Sequence, residues 1–210
     1  EILADRELYQ TGFAADINNS NIVIGKVQYI SNNSLKDKFF IYNIDNGDFV
    51  TPETFYQTAQ STANGVNDNG LIVGEAEYEV TTSSVRRKHG FIYDMNKQEE
   101  QRFSDINDLT ECNSAYEIVE MRAINNNDEI AATALKQVEQ RDALGEVVVD
   151  DDGNPEMVEV PVSVILKPVE NGQVEDCTSE EEPPYERQGF SFSFFLLFWS
   201  GLLIIRRRFL

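Results

Sequence analysis

The only histidine in the chain is His89. A Ser-His-Asp triad would have to use it, and no Gly-x-Ser-x-Gly elbow presents a serine to it. With no second imidazole, a multi-histidine metal site is excluded within this sequence. Cys112 and Cys177 are the only cysteines. Their spacing does not resemble a zinc site. An even count in an exported chain points to a disulfide. Closing a loop of about 65 residues contributes roughly 4 kcal/mol in the chain-entropy picture. Asp150-Asp151-Asp152-Gly153-Asn154 gathers oxygens of the kind calcium takes, without the EF-hand spacing or its distal glutamate. A solvated turn is the expected reading, and likewise for Asn67-Asp68-Asn69-Gly70. Neither a P-loop nor a dinucleotide fingerprint is present. Tyr9, Phe13, Tyr29, Tyr78, Phe91 and Tyr93 read as sheet residues, with an aromatic carbohydrate platform as the alternative. No catalytic residue and no cofactor is therefore expected, calcium being the one cation considered.

The 210 residues carry a formal net charge of -20. The triplet Arg206, Arg207 and Arg208 supplies part of the positive charge, so the remainder is near -23 by subtraction, about one acidic excess per nine residues. A surface of that sign repels phosphate backbones, and no basic patch interrupts it, so nucleic acid is not an expected partner. Glu99, Glu100, Glu180, Glu181 and Glu182 read as solvated charge. The first residue is Glu1 and no signal peptide follows. An exported body needs one, so the expectation is a fragment of a longer protein.

The elements that would carry any site repeat along the chain. Ile17-Asn18-Asn19-Ser20-Asn21-Ile22-Val23-Ile24-Gly25 aligns with Val66-Asn67-Asp68-Asn69-Gly70-Leu71-Ile72-Val73-Gly74. A weaker third copy is Ile124-Asn125-Asn126-Asn127-Asp128-Glu129-Ile130-Ala131-Ala132. The offsets are 49 and 58 residues, close to the blade period of propellers. Asn, Asp and Gly tolerate positive φ and bond locally, so each box predicts a tight turn. The β-branched alternation behind it predicts a strand with one buried face. A partner strand recurs at Phe40-Ile41-Tyr42-Asn43 and Phe91-Ile92-Tyr93-Asp94, with Val164-Ile165-Leu166-Lys167 as a third copy. Asn46-Gly47, Asn171-Gly172 and Asp152-Gly153 add hairpin signals. The last predicts a long hairpin joining residues 145–149 to 157–166. A short helix is expected at residues 114–121.

Residues 190–205 contain no charge. With Gly189 they span about 25 Å as a helix, the short end of what crosses a bilayer. The three arginines follow at once and would stay cytoplasmic, placing the body outside the membrane. A soluble helix normally keeps a polar stripe, and this one has none. Residues 175–188 are acidic and contain Pro183 and Pro184, the composition of an extended linker.

A short apolar helix closed by an arginine cluster resembles the bacterial GlyGly-CTERM sorting tails, cleaved by a rhomboid-like protease (rhombosortase). The glycine pair of that family corresponds here to Gln188 and Gly189, of which one is glycine. The resemblance implies a candidate processing site there, with retention as a plain anchor as the alternative. The boxes resemble the HAF-type extracellular repeat, which runs Ala-x-x-Ile-Asn-x-x-Gly-x-Ile/Val-x-Gly and then His-Ala-Phe-Leu-Tyr. Repeat two matches at Ala63, Val66, Asn67, Gly70, Ile72 and Gly74, then at His89-Gly90-Phe91-Ile92-Tyr93, and the resemblance implies that His89, at a repeat-signature position, is structural. Repeat one matches at Ala14, Ile17, Asn18, Ile22 and Gly25, with Ser20-Asn21 where the turn glycine is usual. The ensemble is similar to a family of exported gammaproteobacterial proteins of unknown function, some with an Asn-Asp-Leu…Cys stretch like Asn107-Asp108-Leu109-Thr110-Glu111-Cys112. That resemblance brings no activity with it.

The expected fold is all-β and mainly antiparallel, a propeller-like or solenoid repeat domain with one C-terminal transmembrane helix. Residues 1–174 form the repeat domain, with repeats near 13–60, 61–113 and 114–172. Residues 175–188 form the linker, 189–205 the membrane helix and 206–210 the basic cytoplasmic tail. Three units are fewer than the about 4–8 blades of a closed propeller. The expected function is a membrane-anchored or sorted binding or scaffold module of the cell envelope. Its partners are the membrane and a rhomboid-type protease. The alternatives are an enzyme with catalytic residues in a preceding region, and a calcium-dependent adhesin.

Overall fold

The computed structural model describes residues 8–31, 33–79, 87–112, 114–170, 172 and 174. One compact unit spans Glu1–Cys177, and the described residues all lie in it.

That unit is all-β. Strands β1 (Thr11–Ile17), β2 (Ile22–Ser31), β3 (Ser34–Asn43) and β4 (Phe49–Val50) form an antiparallel meander, sheet A. Strands β5 (Ser61–Val66), β6 (Leu71–Glu77), β7 (Lys88–Asp94) and β8 (Phe103–Asp105) repeat that order as sheet B. Strands β9 (Tyr116–Ile124), β10 (Ile130–Glu139) and β11 (Met157–Leu166) make the three-stranded sheet C. Two single 3-10 turns, Glu99–Gln101 and Asn107–Leu109, flank β8. The sheets stack in chain order, A on B and B on C, and no ring closes among the described residues.

Each Asn box is the turn joining the first two strands of its sheet. Asn18 Oδ1 accepts the N–H groups of Ser20 and Ile22 at 3.0 Å each. Asn125 Oδ1 does the same for Asn127 and Glu129 at 2.9 Å each. The fourth residue of each turn is left-handed: Asn21 at φ 57°, Gly70 at 82° and Asp128 at 60°. Asn and Asp tolerate that region where bulkier side chains do not, so no glycine is needed in the first and third boxes. Behind the box the registers coincide. Ile24 pairs with Ile41, Val73 with Ile92 and Ala131 with Ile165.

The glycine ending the box has a steric cause. In β1 and β5 the register slips by one residue, between Ala14 and Asp16 and between Ala63 and Gly65. Such a bulge pushes the strand backbone toward its neighbour. A Cβ on Gly25 would stand 2.0 Å from the Phe13 carbonyl oxygen, and one on Gly74 at 2.0 Å from that of Thr62.

Two expectations are corrected. Residues 114–121 are not helical: Tyr116 begins β9, which pairs with β10 and buries Ile118 and Met121 against sheet B. Local helix preference loses to a strand partner that removes apolar surface from water. Residues 145–149 do not form the long hairpin with β11. That partner is β10, paired residue for residue from Ile130–Leu166 to Glu139–Met157. The intervening segment keeps only isolated bridges, Arg141 to Val147 and Val149 to Pro155. A full ladder with one apolar face outcompetes a short, charged, exposed run.

The core sits between sheets. Ile22, Ile24, Phe39 and Ile41 of sheet A meet Ala63, Val66, Ile72, Ala76, Phe91 and Tyr93 of sheet B. On the other side, Val73 and Ile106 meet Ile118, Met121, Ile130, Ala132 and Ala134. Phe39 fills the first interface; its counterpart Gly90 leaves room in the second for Met121, whose Cγ would lie 2.8 Å from an added Cβ. Among the described residues no helix is long and apolar enough to cross a membrane. The segment 189–205, on which that expectation rests, lies outside them.

Candidate functional site

His89 stands on β7 facing the junction of sheets B and C. Its Nδ1 lies 2.5 Å from Asp105 Oδ2 on β8, and its Nε2 lies 3.3 Å from Glu117 Oε1 on β9. The Tyr78 ring stacks on the imidazole at 3.7 Å between centroids, and Phe55 meets it edge-on at 6.1 Å. Burial opposes the charged imidazole, but the Asp105 and Glu117 carboxylates outweigh it and raise the pKa above its ordinary value. Each ring nitrogen faces a carboxylate oxygen, so the pair of acids favours the imidazolium form. His89 is an ionic clamp between two sheets.

The Asn-Asp-Leu stretch supports that clamp. Asn107 N donates to Asp105 Oδ1 at 2.9 Å, fixing the carboxylate. Asn107 also laces onto β9: its Oδ1 accepts the Ile118 N–H at 2.7 Å and its Nδ2 donates to the Ile118 carbonyl at 3.1 Å. A shallow cleft of about 270 Å³ opens beside His89, bordered by Tyr78, Thr110, Glu111, Cys112, Ser114 and Glu117. A second, of about 450 Å³, is lined by alternating charges including Glu75, Arg87, Lys88, Glu120 and Glu159.

Sequence reading singled out none of the carboxylates in these sites. Glu75 and Glu77 occupy inward positions of β6, exposed by 7% and 1%. Burial raises the Glu75 pKa, against the pull of Lys88 and of Asn64, whose amide donates to it at 2.6 Å. Glu77 accepts from Tyr56 Oη at 3.0 Å and from Gln60 Nε2 at 2.8 Å. Buried carboxylates need such donors. The available signal was a glutamate at every second place of an otherwise apolar strand, Val73-Gly74-Glu75-Ala76-Glu77.

The structure brings the turn boxes together into one hydrogen-bonded column. Asn18 Nδ2 donates to the Asn67 carbonyl at 2.9 Å, and Asn67 Nδ2 donates to the Asn125 carbonyl at 3.0 Å. One position on, the Asn19 N–H donates to Asp68 Oδ1 at 2.8 Å and the Asp68 N–H to Asn126 Oδ1 at 3.0 Å. Asp68 also takes the amides of Asn19 and Asn126, at 2.6 and 2.8 Å. Donation by Asn19, first from its backbone, lowers the Asp68 pKa. Gly25 and Gly74 stand where a bulged neighbour strand approaches closely, and Gly70 holds the left-handed turn position.

Asp150 is engaged by its own turn, accepting from the N–H groups of Asp152 and Asn154 at 2.9 Å each. Among the described residues no group of three or more His, Cys, Asp or Glu side chains could hold a metal ion. No free cysteine stands among them either. Cys177, Gln188, Gly189, Arg206, Arg207 and Arg208 lie outside the described residues, and so do the disulfide pairing, the processing site and the membrane anchor that rest on them.

No curated protein and no solved structure matches this chain. A family model does match, over residues 1–208, so this chain of Asn-box sheets belongs to the family described as protein of unknown function, DUF3466.

Proposed function

We propose that the chain is a non-enzymatic binding or scaffold module of the cell envelope, its repeat domain exported and its C-terminus in the inner membrane. The observation that carries the non-enzymatic half is the clamping of the sole histidine. His89 Nδ1 faces Asp105 within sheet B and Nε2 faces Glu117 across the junction with sheet C, an arrangement that supports a structural role for the ring. The aromatic pairs point the same way: Phe39 lies 5.0 Å from Phe91 and Phe91 5.4 Å from Phe103, inside the stack. The architecture is the kind from which propellers and β-solenoids are built, in which each sheet buries its faces on its neighbours.

The membrane half rests on sequence. Residues 190–205 are uncharged and Arg206, Arg207 and Arg208 follow, the order expected of a segment whose basic end stays inside. In this reading Cys112 pairs with Cys177 in an oxidising compartment, and a rhomboid-type protease either cuts near Gly189 or leaves the anchor in place. Alkaline phosphatase fused after Thr178 is expected to be active, and an inactive fusion overturns the exported body. The intact mass of the mature protein decides between anchor and cleaved tail. Titration calorimetry with calcium tests the adhesin alternative, for which heat of binding would be required.

A further inference from the structure

We infer that Asn46 is the deamidation site of the folded chain, and that the stacking of the sheets withholds the same chemistry from Asn64 and Asn69. The inference concerns the repeat unit alone and does not depend on where the chain resides. The sequence holds four Asn-Gly pairs, at 46–47, 64–65, 69–70 and 171–172. Asparagine is thermolabile, and a following glycine has no Cβ to shield its peptide nitrogen. That nitrogen gives up its proton to water and attacks the asparagine Cγ. The Cγ–Nδ2 bond breaks, the side-chain nitrogen leaves as ammonia, and a cyclic imide remains. One water molecule then opens the imide at either carbonyl, to aspartate or isoaspartate. In sum, an amide and a water become an acid and ammonia. Asn171 lies outside the described residues.

The three described pairs differ in what must break before the ring closes. Asn64 sits in the β5 bulge. Its Nδ2 donates to Glu75 Oε2 at 2.6 Å and to the Met121 carbonyl of sheet C at 2.8 Å. The attacking residue, Gly65, is buried, with the Ala123 Cα of sheet C 3.1 Å from the place its Cβ would take. Asn69 belongs to the second box. Its Nδ2 donates to the Asn126 carbonyl at 3.1 Å and to Asp128 Oδ1 at 2.8 Å, both in the third box. Its own carbonyl takes the Asn96 amide at 2.7 Å, and Gly70 is buried. Ring closure at either asparagine turns the side chain away from two acceptors and needs water at a covered nitrogen.

Asn46 stands on the turn between β3 and β4, and both it and Gly47 are exposed. Among the described residues its side chain bonds only to Asp48, whose N–H donates to Oδ1 at 2.9 Å and whose Oδ2 accepts the amide at 2.6 Å. The Gly47 N–H donates to the Asn43 carbonyl at 2.9 Å. All these partners lie within the turn itself, so it opens without parting two sheets. The product bears on sheet A. A carboxylate at position 46 faces Asp48 where an amide had donated, and the isoaspartyl form adds a backbone carbon to the turn. Strand β4 follows at once and carries Phe49, which stacks on Phe40 at 5.2 Å and packs on the cluster of Val23, Val27 and Phe40. Deamidation therefore loosens the cover of that cluster, irreversibly and with age.

The test is incubation of the full chain in detergent micelles at mildly alkaline pH, beside a sample unfolded in guanidinium chloride. Tandem mass spectrometry locates each replacement of a side-chain NH2 by OH. In the folded sample Asn46 is expected to convert, with Asn64 and Asn69 slower by at least about tenfold, because each must free its amide from two acceptors. In guanidinium chloride the three rates should converge, since all three asparagines precede glycine. The converted fraction, separated by anion exchange, should lose hydrogen-exchange protection at Phe49 and Val50. Equal rates at the three sites of the folded chain overturn the proposal. So does an order that persists in denaturant, which would assign it to neighbouring residues instead of to the fold. Unchanged protection at β4 would strike out the loosening of the sheet A cluster.

Discussion

Strands β1 and β5 open the same repeat with the same bulge and the same box, yet their environments differ. All of β1 except Asp16 is exposed, while four of the six residues of β5 are buried. Strand β5 lies between sheets A and C, whereas β1 meets only the edge of sheet B, where the Val66 N–H donates to Asp16 Oδ2 at 3.0 Å. A repeat of this kind fixes its own strands and turn, but its burial is supplied by its neighbours. Most of the stability therefore belongs to the interfaces.

The largest effect should come from the middle of the stack. Phe91→Ala removes a ring that is fully buried between sheets A and B and should cost about 3–5 kcal/mol in urea unfolding followed by far-UV circular dichroism. Phe13→Ala, on the 53% exposed β1 ring, should stay within about 0.5 kcal/mol. Equal losses would mean that β1 is covered in solution.

Asn67→Ala should come next, at about 2–3 kcal/mol. Its side-chain Oδ1 accepts the Leu71 N–H, and its Nδ2 reaches the Asn125 carbonyl and Asp128 Oδ1 in the next box. Asn18→Ala loses comparable turn bonds, at Ser20 and Ile22, but should cost somewhat less, since its amide has one partner in the next box where that of Asn67 has two. Gly74→Ala should cost about 1–3 kcal/mol, more than Gly25→Ala. The two added methyls meet the same carbonyl clash, but the mostly exposed β1 can give more easily than β5, which is buried between sheets A and C.

The smallest of these effects is electrostatic. Asp105 and Glu117 face His89 from β8 and β9, and the histidine pKa is raised above 6.5. A group held charged in the folded state contributes fully below its unfolded pKa and loses that contribution as the pH climbs through the folded value. The urea midpoint should therefore fall between about pH 6 and about pH 8, within the range where histidine titrates. His89→Gln should flatten that part of the profile. An unchanged slope in the variant would remove His89 from the clamp.

How much was legible varied with the range of the interaction. The three turn boxes could be read directly, because a side-chain oxygen two and four residues from its donors needs no other part of the chain. The Phe-Ile-Tyr partner strands could be read too, since alternation and a repeated offset mark them. The His89 clamp could not: Asp105 and Glu117 lie 16 and 28 residues away, and only strand pairing brings them to one ring. Residues 114–121 misled for the same reason, as their strand exists through β10.

The amino-acid order determined the turns, the alternating strands, the positions where glycine is required behind a bulge, and the acidic surface. Tertiary structure decided which face of each strand is inside, that the boxes join into one column, and that His89 is held by two carboxylates. Local hydrogen bonds and backbone sterics act over a few residues and are written into the sequence. Burial and ion pairing depend on which surfaces meet, and that is settled only when the sheets stack.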